Sequence, residues 1–222
     1  MGSFAKALGR AAAMSLETES ANILRVAESN KGSTLSAALD GTLKQGHDMR
    51  AFGLGTAATL ASRARYARFT AAMHCVYDAM ERELDGARSA PVRALWSAHG
   101  AVLRRAPALA ADARDVGVEL GGGAGSPPPP PLSPAAARYV ARIQRAGELD
   151  GADGGARVLG HVYCRYFADL FGGQMLAAPT RAALALPVAP RHYAFAFPDG
   201  SRRACVDRRR VRASIREHMP KN

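Results

Sequence analysis

Between His161 and Leu176 the chain reads His161-Val-Tyr-Cys-Arg-Tyr-Phe-Ala-Asp-Leu-Phe-Gly-Gly-Gln-Met-Leu176. It is a helical pattern with two tyrosines, an arginine and an aspartate that runs into adjacent glycines. Each glycine inside a helix costs roughly 1 kcal/mol against alanine, so a compensating gain is expected. Tyr166, Asp169 and Gly173 fall at i, i+3 and i+7, with Gly172 beside them, which puts one acid on the same face as a strip of bare backbone. Such a strip suits a bulky object lying flat against the helix. The spacing fits a kink or a tight helix crossing equally well, with Asp169 simply solvated.

The rest of the chain must position that helix. Its 222 residues suffice for one well-buried core, and 48% of them are hydrophobic. Alanine and arginine dominate while β-branched residues are scarce, which favours helices over sheets. The three cysteines, Cys75, Cys164 and Cys205, are dispersed and lack zinc-ligand spacing, so a reducing compartment is the simpler reading. The formal net charge is +11, and residues 181–222 hold nine arginines and one lysine against Asp199, Asp207 and Glu217. That block could attract nucleic acid, an acidic membrane, an acidic protein or a small anion, and charge does not choose among them. No apolar run is long enough for a transmembrane helix.

In chain order, residues 1–32 form an Ala/Ser-rich segment that could be an organelle-targeting leader or a frayed tail. A domain is expected over 33–222. Its first helix starts near Ser33, repeats Leu35, Leu39 and Leu43, and carries Lys44 and His47 on one face before Phe52-Gly53-Leu54-Gly55 breaks it. A second helix over 62–86 has the stripe Tyr66, Phe69, Met73, Val76, Tyr77, Met80 and Leu84; the Tyr77 hydroxyl is its interior polar handle and needs a partner. Residues 92–116 read as a helix or helix pair with a break at Pro107. A Gly/Pro-rich loop at 121–134 precedes a helix over 135–149. The helix from Arg157 to Leu186 is expected to bend at Gly172-Gly173 and break at Pro179. Residues 192–198 alternate like a short strand, and the basic tail 202–219 reads as a helix. No phosphate-binding loop, nucleophile elbow or HExxH motif is present.

The stretch 161–176, HVYCRYFADLFGGQML, resembles the distal helix of the haem oxygenases, whose signature runs His-x-Tyr-x-Arg-Tyr-(Leu/Phe)-Gly-Asp-Leu-Ser-Gly-Gly-Gln-(Val/Met)-Leu. Other segments follow in the family's order: Leu35 to His47 resembles its first helix, Val76-Tyr77-x-Ala-Met-Glu81-x-Glu83 its next, and Tyr139-Val140-x-Arg142-Ile-x-x-x-Gly147 the helix before the distal one. The resemblance implies an all-α, single-domain bundle that sandwiches haem between a proximal and a kinked distal helix. It also implies that O₂ and electrons open haem b, both substrate and cofactor, to biliverdin with release of CO and Fe(II). Electrons would come from an external ferredoxin or flavoprotein reductase. His47 would be the proximal iron ligand. Asp169 would hold the water network that delivers a proton to the reacting oxygen, supported by Tyr77 and Arg165. Gly172 and Gly173 would face the haem, while Lys44, Tyr163, Arg203 and Arg209 or Arg210 would meet the propionates.

The chain departs from the family pattern at Ala168, where a glycine is usual, at Phe171, where a small residue is usual, and at Asp40, where many members carry lysine. It also ends short of the family's last helices and of any C-terminal membrane anchor. Ala168 and Phe171 motivate an alternative, a non-catalytic haem-binding or regulatory protein of the same fold. The remaining expectations are a soluble intracellular monomer, in a plastid or another organelle or else in the cytoplasm, with no nucleic-acid partner, because the basic tail has almost no interleaved aromatics.

Overall fold

A computed structural model describes residues 49–118, 120, 130–171 and 173–196. The leader, Lys44, His47, residues 121–129 of the loop, Gly172 and the tail with Arg203, Arg209 and Arg210 lie outside the described residues. In order, the elements are α1 (Met49–Thr59), α2 (Arg63–Asp85), α3 (Ala90–Leu103), α4 (Ala106–Asp115), α5 (Pro134–Leu149), α6 (Ala156–Phe171), a 3-10 turn (Gly173–Leu176), α7 (Ala177–Leu184) and a second 3-10 turn (Arg191–Tyr193). The described residues contain no strand, and the fold is all-α as the composition predicts.

Helix α2 is the central element, with α4 and α5 packed along it and α6 crossing nearby. Ser62 starts it as an N-cap, its hydroxyl accepting from the Arg65 amide at 3.3 Å. Val76, Tyr77, Met80 and Leu84 from its stripe join Val92, Leu95 and Leu103 of α3, Leu109 of α4, Ile143 of α5 and Val158, Val162, Tyr166 and Leu170 of α6 in the main core. Burying each large aliphatic side chain there is worth about 1.5–3 kcal/mol. Helix α5 begins at Pro134 with Ser133 capping the Ala136 amide at 3.2 Å.

Polar staples fix the ends. Asp150, after α5, accepts from the Ser89 amide at 2.8 Å, from the Ser89 hydroxyl at 2.5 Å and from the Arg88 amide, tying the α2–α3 turn to the α5–α6 turn. Gly155 in the latter turn has φ +85°, and a Cβ there would run into Ser89 Oγ and lie 2.5 Å from Val92 Cγ2. Only glycine satisfies both demands.

Four boundaries differ from expectation. Helix α1 continues through Gly53 and Gly55, because glycine weakens a helix without removing its hydrogen-bond ladder. The break between α3 and α4 falls at Arg104-Arg105, and Pro107 sits in the first turn of α4, where its missing N–H has no helical acceptor to lose. The same reason admits Pro179 to the first turn of α7. Residues 191–193 form a 3-10 turn, and 194–196 are not in a strand; their backbone is engaged by side chains of other elements, as described below.

Candidate active site

The α6 helix carries Arg165, Tyr166 and Asp169 against α2, and its helical hydrogen bonding gives way to a 3-10 turn beginning at Gly173. Tyr77, 1% exposed in α2, donates its hydroxyl hydrogen to Asp169 Oδ2. This is the partner that a tyrosine buried in the core stripe requires. The Arg165 guanidinium lies 5.4 Å from the Tyr77 ring centroid and reaches Met73 Sδ at 3.4 Å, while its buried Nε has no hydrogen-bond partner. The structure thus brings together Tyr77, Arg165 and Asp169.

The three groups set one another's charge. Burial pushes the Asp169 carboxyl above the ordinary aspartate range, against the opposing pull of Arg165 and the Tyr77 hydrogen bond. Burial also raises Tyr77, as does the charge of Asp169. Burial opposes the Arg165 charge, but Tyr77 and Asp169 outweigh it and hold its pKa above the usual value. A carboxyl raised above its ordinary range beside a fixed cation is a candidate for general acid work.

Tyr166 backs the cluster. Its ring meets Tyr77 edge-on at 5.4 Å and its hydroxyl points to Glu81 Oε1 at 3.5 Å. Glu81 accepts from the Arg105 amide at 2.5 Å and the Ala106 amide at 3.0 Å, so one buried carboxylate starts α4 and anchors Tyr166. Tyr163 is 1% exposed and belongs to the same core cluster as Tyr77 and Tyr166.

Gly173 is buried, and a Cβ there would lie 3.3 Å from Tyr193 Cδ1 and 3.5 Å from Asp169 Oδ1. Its bare backbone therefore makes room for the Tyr193 ring beside the carboxylate. Gly160, Cys164 and Ala168 recur at four-residue spacing on α6; the first two are half-buried and Ala168 is exposed. A Cβ built on Gly160 meets nothing within 4 Å. In sequence, Gly172 continues that spacing. Over Gly160, Cys164 and Ala168 the described helix presents small residues near Asp169, a stretch that a flat macrocycle could approach closely. The residues present fit a haem on this criterion. Among the described residues, no group of three or more His, Cys, Asp or Glu is placed to hold a bare metal ion. No described helix is long and apolar enough to cross a membrane.

Sequence reasoning does not single out Tyr193, Arg105, Asp112 or His192, and it names Glu81 only within a stretch that carries the resemblance. The available signal was Asp112, an acid in a short alanine-rich helix, and it is 3% exposed. Its partners are 79 and 80 residues away, beyond any local pattern.

Comparison with known proteins adds a family. The family model described as heme oxygenase matches residues 33–219. No curated protein matches the chain.

Proposed function

The chain belongs to the haem oxygenase family, and from that premise we propose that it opens haem to biliverdin using O₂ and electrons, releasing CO and Fe(II). The observation that carries this reading is the Asp169 carboxyl, bonded by Tyr77, raised by burial and set beside the small-residue face of α6.

When bound, haem supplies both the redox-active iron and the ring that is opened. The protein's part is to bind, orient and deliver protons. In this reading His47 would be the residue that holds the haem iron. Gly172, with Ala168 before it, would let the helix backbone come close to a bound ring, whereas Gly173 is buried with Tyr193 in its side-chain space. Asp169 holds water at its Oδ atoms and passes a proton through it. Tyr77 fixes the carboxylate's orientation, and Arg165 keeps a positive charge beside it so that its proton can leave and return. Lys44, Arg203 and Arg209 or Arg210 would meet the propionates, whereas Tyr163 is 1% exposed in the main core and offers them no surface. Electrons come from an external ferredoxin or flavoprotein reductase, to which a chain of net charge +11 offers an attractive surface.

The exposed Ala168 methyl favours one alternative. It adds a carbon to the face beside Asp169, which would suit a haem-binding protein that does not turn over. Purified protein titrated with haemin separates these readings. A histidine-type Soret band that His47→Ala abolishes or shifts supports both. Conversion to a biliverdin-like pigment with CO release under O₂ and reductant supports catalysis, while binding without conversion supports the alternative.

A further inference from the structure

The segment after α7 is held far more firmly than a connection requires. Asp112 of α4 accepts from the Arg191 amide at 2.8 Å, the His192 amide at 2.9 Å and His192 Nδ1 at 2.7 Å. Arg191 also pairs with Asp115. From the other side, the buried Arg105 guanidinium donates to the carbonyl of His192 at 3.2 Å and to that of Ala194, and it lies 3.9 Å from the Phe195 ring centroid. Six polar contacts from α4 and the residue before it thus fix about one turn of chain.

What this clamp delivers is Tyr193. The ring is 8% exposed, its hydroxyl bonds the buried Thr180 side chain of α7, and its Cδ1 occupies the space that a Gly173 side chain would need. The same missing side chain would lie 3.5 Å from Asp169 Oδ1. Tyr193 and Asp169 therefore flank one bare backbone position at the break of the distal helix.

From this geometry we infer that Tyr193 is a positioning residue, clamped through Asp112 and Arg105 so that its ring closes the Gly173 side of Asp169 to water and fixes where that carboxyl sits. The consequence for catalysis rests on the functional reading above; the placement itself does not. The charged and titratable groups facing Asp169 are Tyr77 from α2, Arg105 at the start of α4, His192 and Tyr193 from the clamped segment, and Arg165 and Tyr166 from its own helix. Burial is the largest influence on Asp169 and raises its pKa, so removing the ring that covers it should admit water and lower that value.

The test is a pH titration of the Asp169 carboxyl by carbon-13 NMR in haem-free protein, its resonance assigned with Asp169→Asn. Tyr193→Ala is expected to move the midpoint about one unit toward the ordinary aspartate value, while Tyr193→Phe, which keeps the ring, leaves it in place. A role confined to packing would lower the melting temperature and leave the midpoint unmoved, and a wild-type midpoint in Tyr193→Ala overturns the inference. If Tyr193→Ala loses its helical circular dichroism, Tyr193→Leu, which keeps apolar volume but not the flat ring, decides by the same criterion. Haemin binding by the wild-type chain is measured separately: its absence would overturn the functional reading while the titration still decides the role of Tyr193.

Discussion

The Tyr77 hydroxyl donates to Asp169, 92 residues later in the chain, and so joins the central helix to the distal one at the site where the distal helix breaks. One bond serves two requirements: it gives a buried tyrosine its acceptor and a half-buried carboxylate a fixed orientation.

Removing that donor should be felt in both respects. Tyr77→Phe is expected to lower the unfolding free energy by about 1–3 kcal/mol, read from denaturant midpoints. Because the Tyr77 bond pulls the Asp169 pKa down, its loss should raise that value further. An unchanged carboxyl midpoint in this variant would remove Tyr77 from the proposed support of Asp169.

Asp169 contributes to stability in a pH-dependent way. Its folded pKa lies above its unfolded one, so the folded state holds more protons between the two values. Stability from this group is therefore present below the ordinary aspartate value and falls as pH rises through the raised one. Asp169→Asn should flatten that fall, and the difference between wild-type and variant stability curves should decline across that window. A difference curve that rises there would contradict the assignment.

Asp112 should behave oppositely. Burial raises it, but the bonds from His192 and from the Arg191 and His192 amides outweigh burial and hold its carboxyl below the usual range. Its stabilisation is present above the unfolded value and is lost as pH falls through the folded one. Asp112→Asn should cost about 1–3 kcal/mol at neutral pH and blunt the acid limb of thermal unfolding.

Gly155 tests the staple at the far end of the distal helix. With φ +85° and Ser89 Oγ and Val92 Cγ2 in the path of any Cβ, Gly155→Ala should destabilise the fold by about 2–4 kcal/mol. A melting temperature equal to wild type would show that the turn can relax at little cost.

Much of the frame was legible because it is local. The stripe from Tyr66 to Leu84 follows helical spacing, and the helices expected over 62–86 and 135–149 are α2 and α5 with nearly the same bounds. The need for a partner at Tyr77 was also legible; its identity came through resemblance, since no periodicity links residues 77 and 169. The clamp was not legible. Residues 192–198 alternate as a strand would, but Arg105 and Asp112 take up the backbone groups that a strand would offer to a neighbour. Pro107 and Pro179 misled for a related reason: proline breaks helix interiors, and a sequence does not say whether it stands in a first turn. Spacing alone leaves the glycine pair as a gap for a ligand or a kink, whereas Gly173 also makes room for Tyr193, a partner from outside its helix.

The central claim is that this chain opens haem with Asp169 as the proton-holding acid. The most direct measurement is the absorption spectrum of haemin-loaded protein before and after reduction under O₂, run in parallel for wild type and Asp169→Ala. The account predicts that both bind haemin, and that only wild type converts it to a biliverdin-like pigment with CO release. Equal conversion by Asp169→Ala would contradict the role of Asp169, and failure of wild-type protein to bind haemin would contradict the functional reading itself.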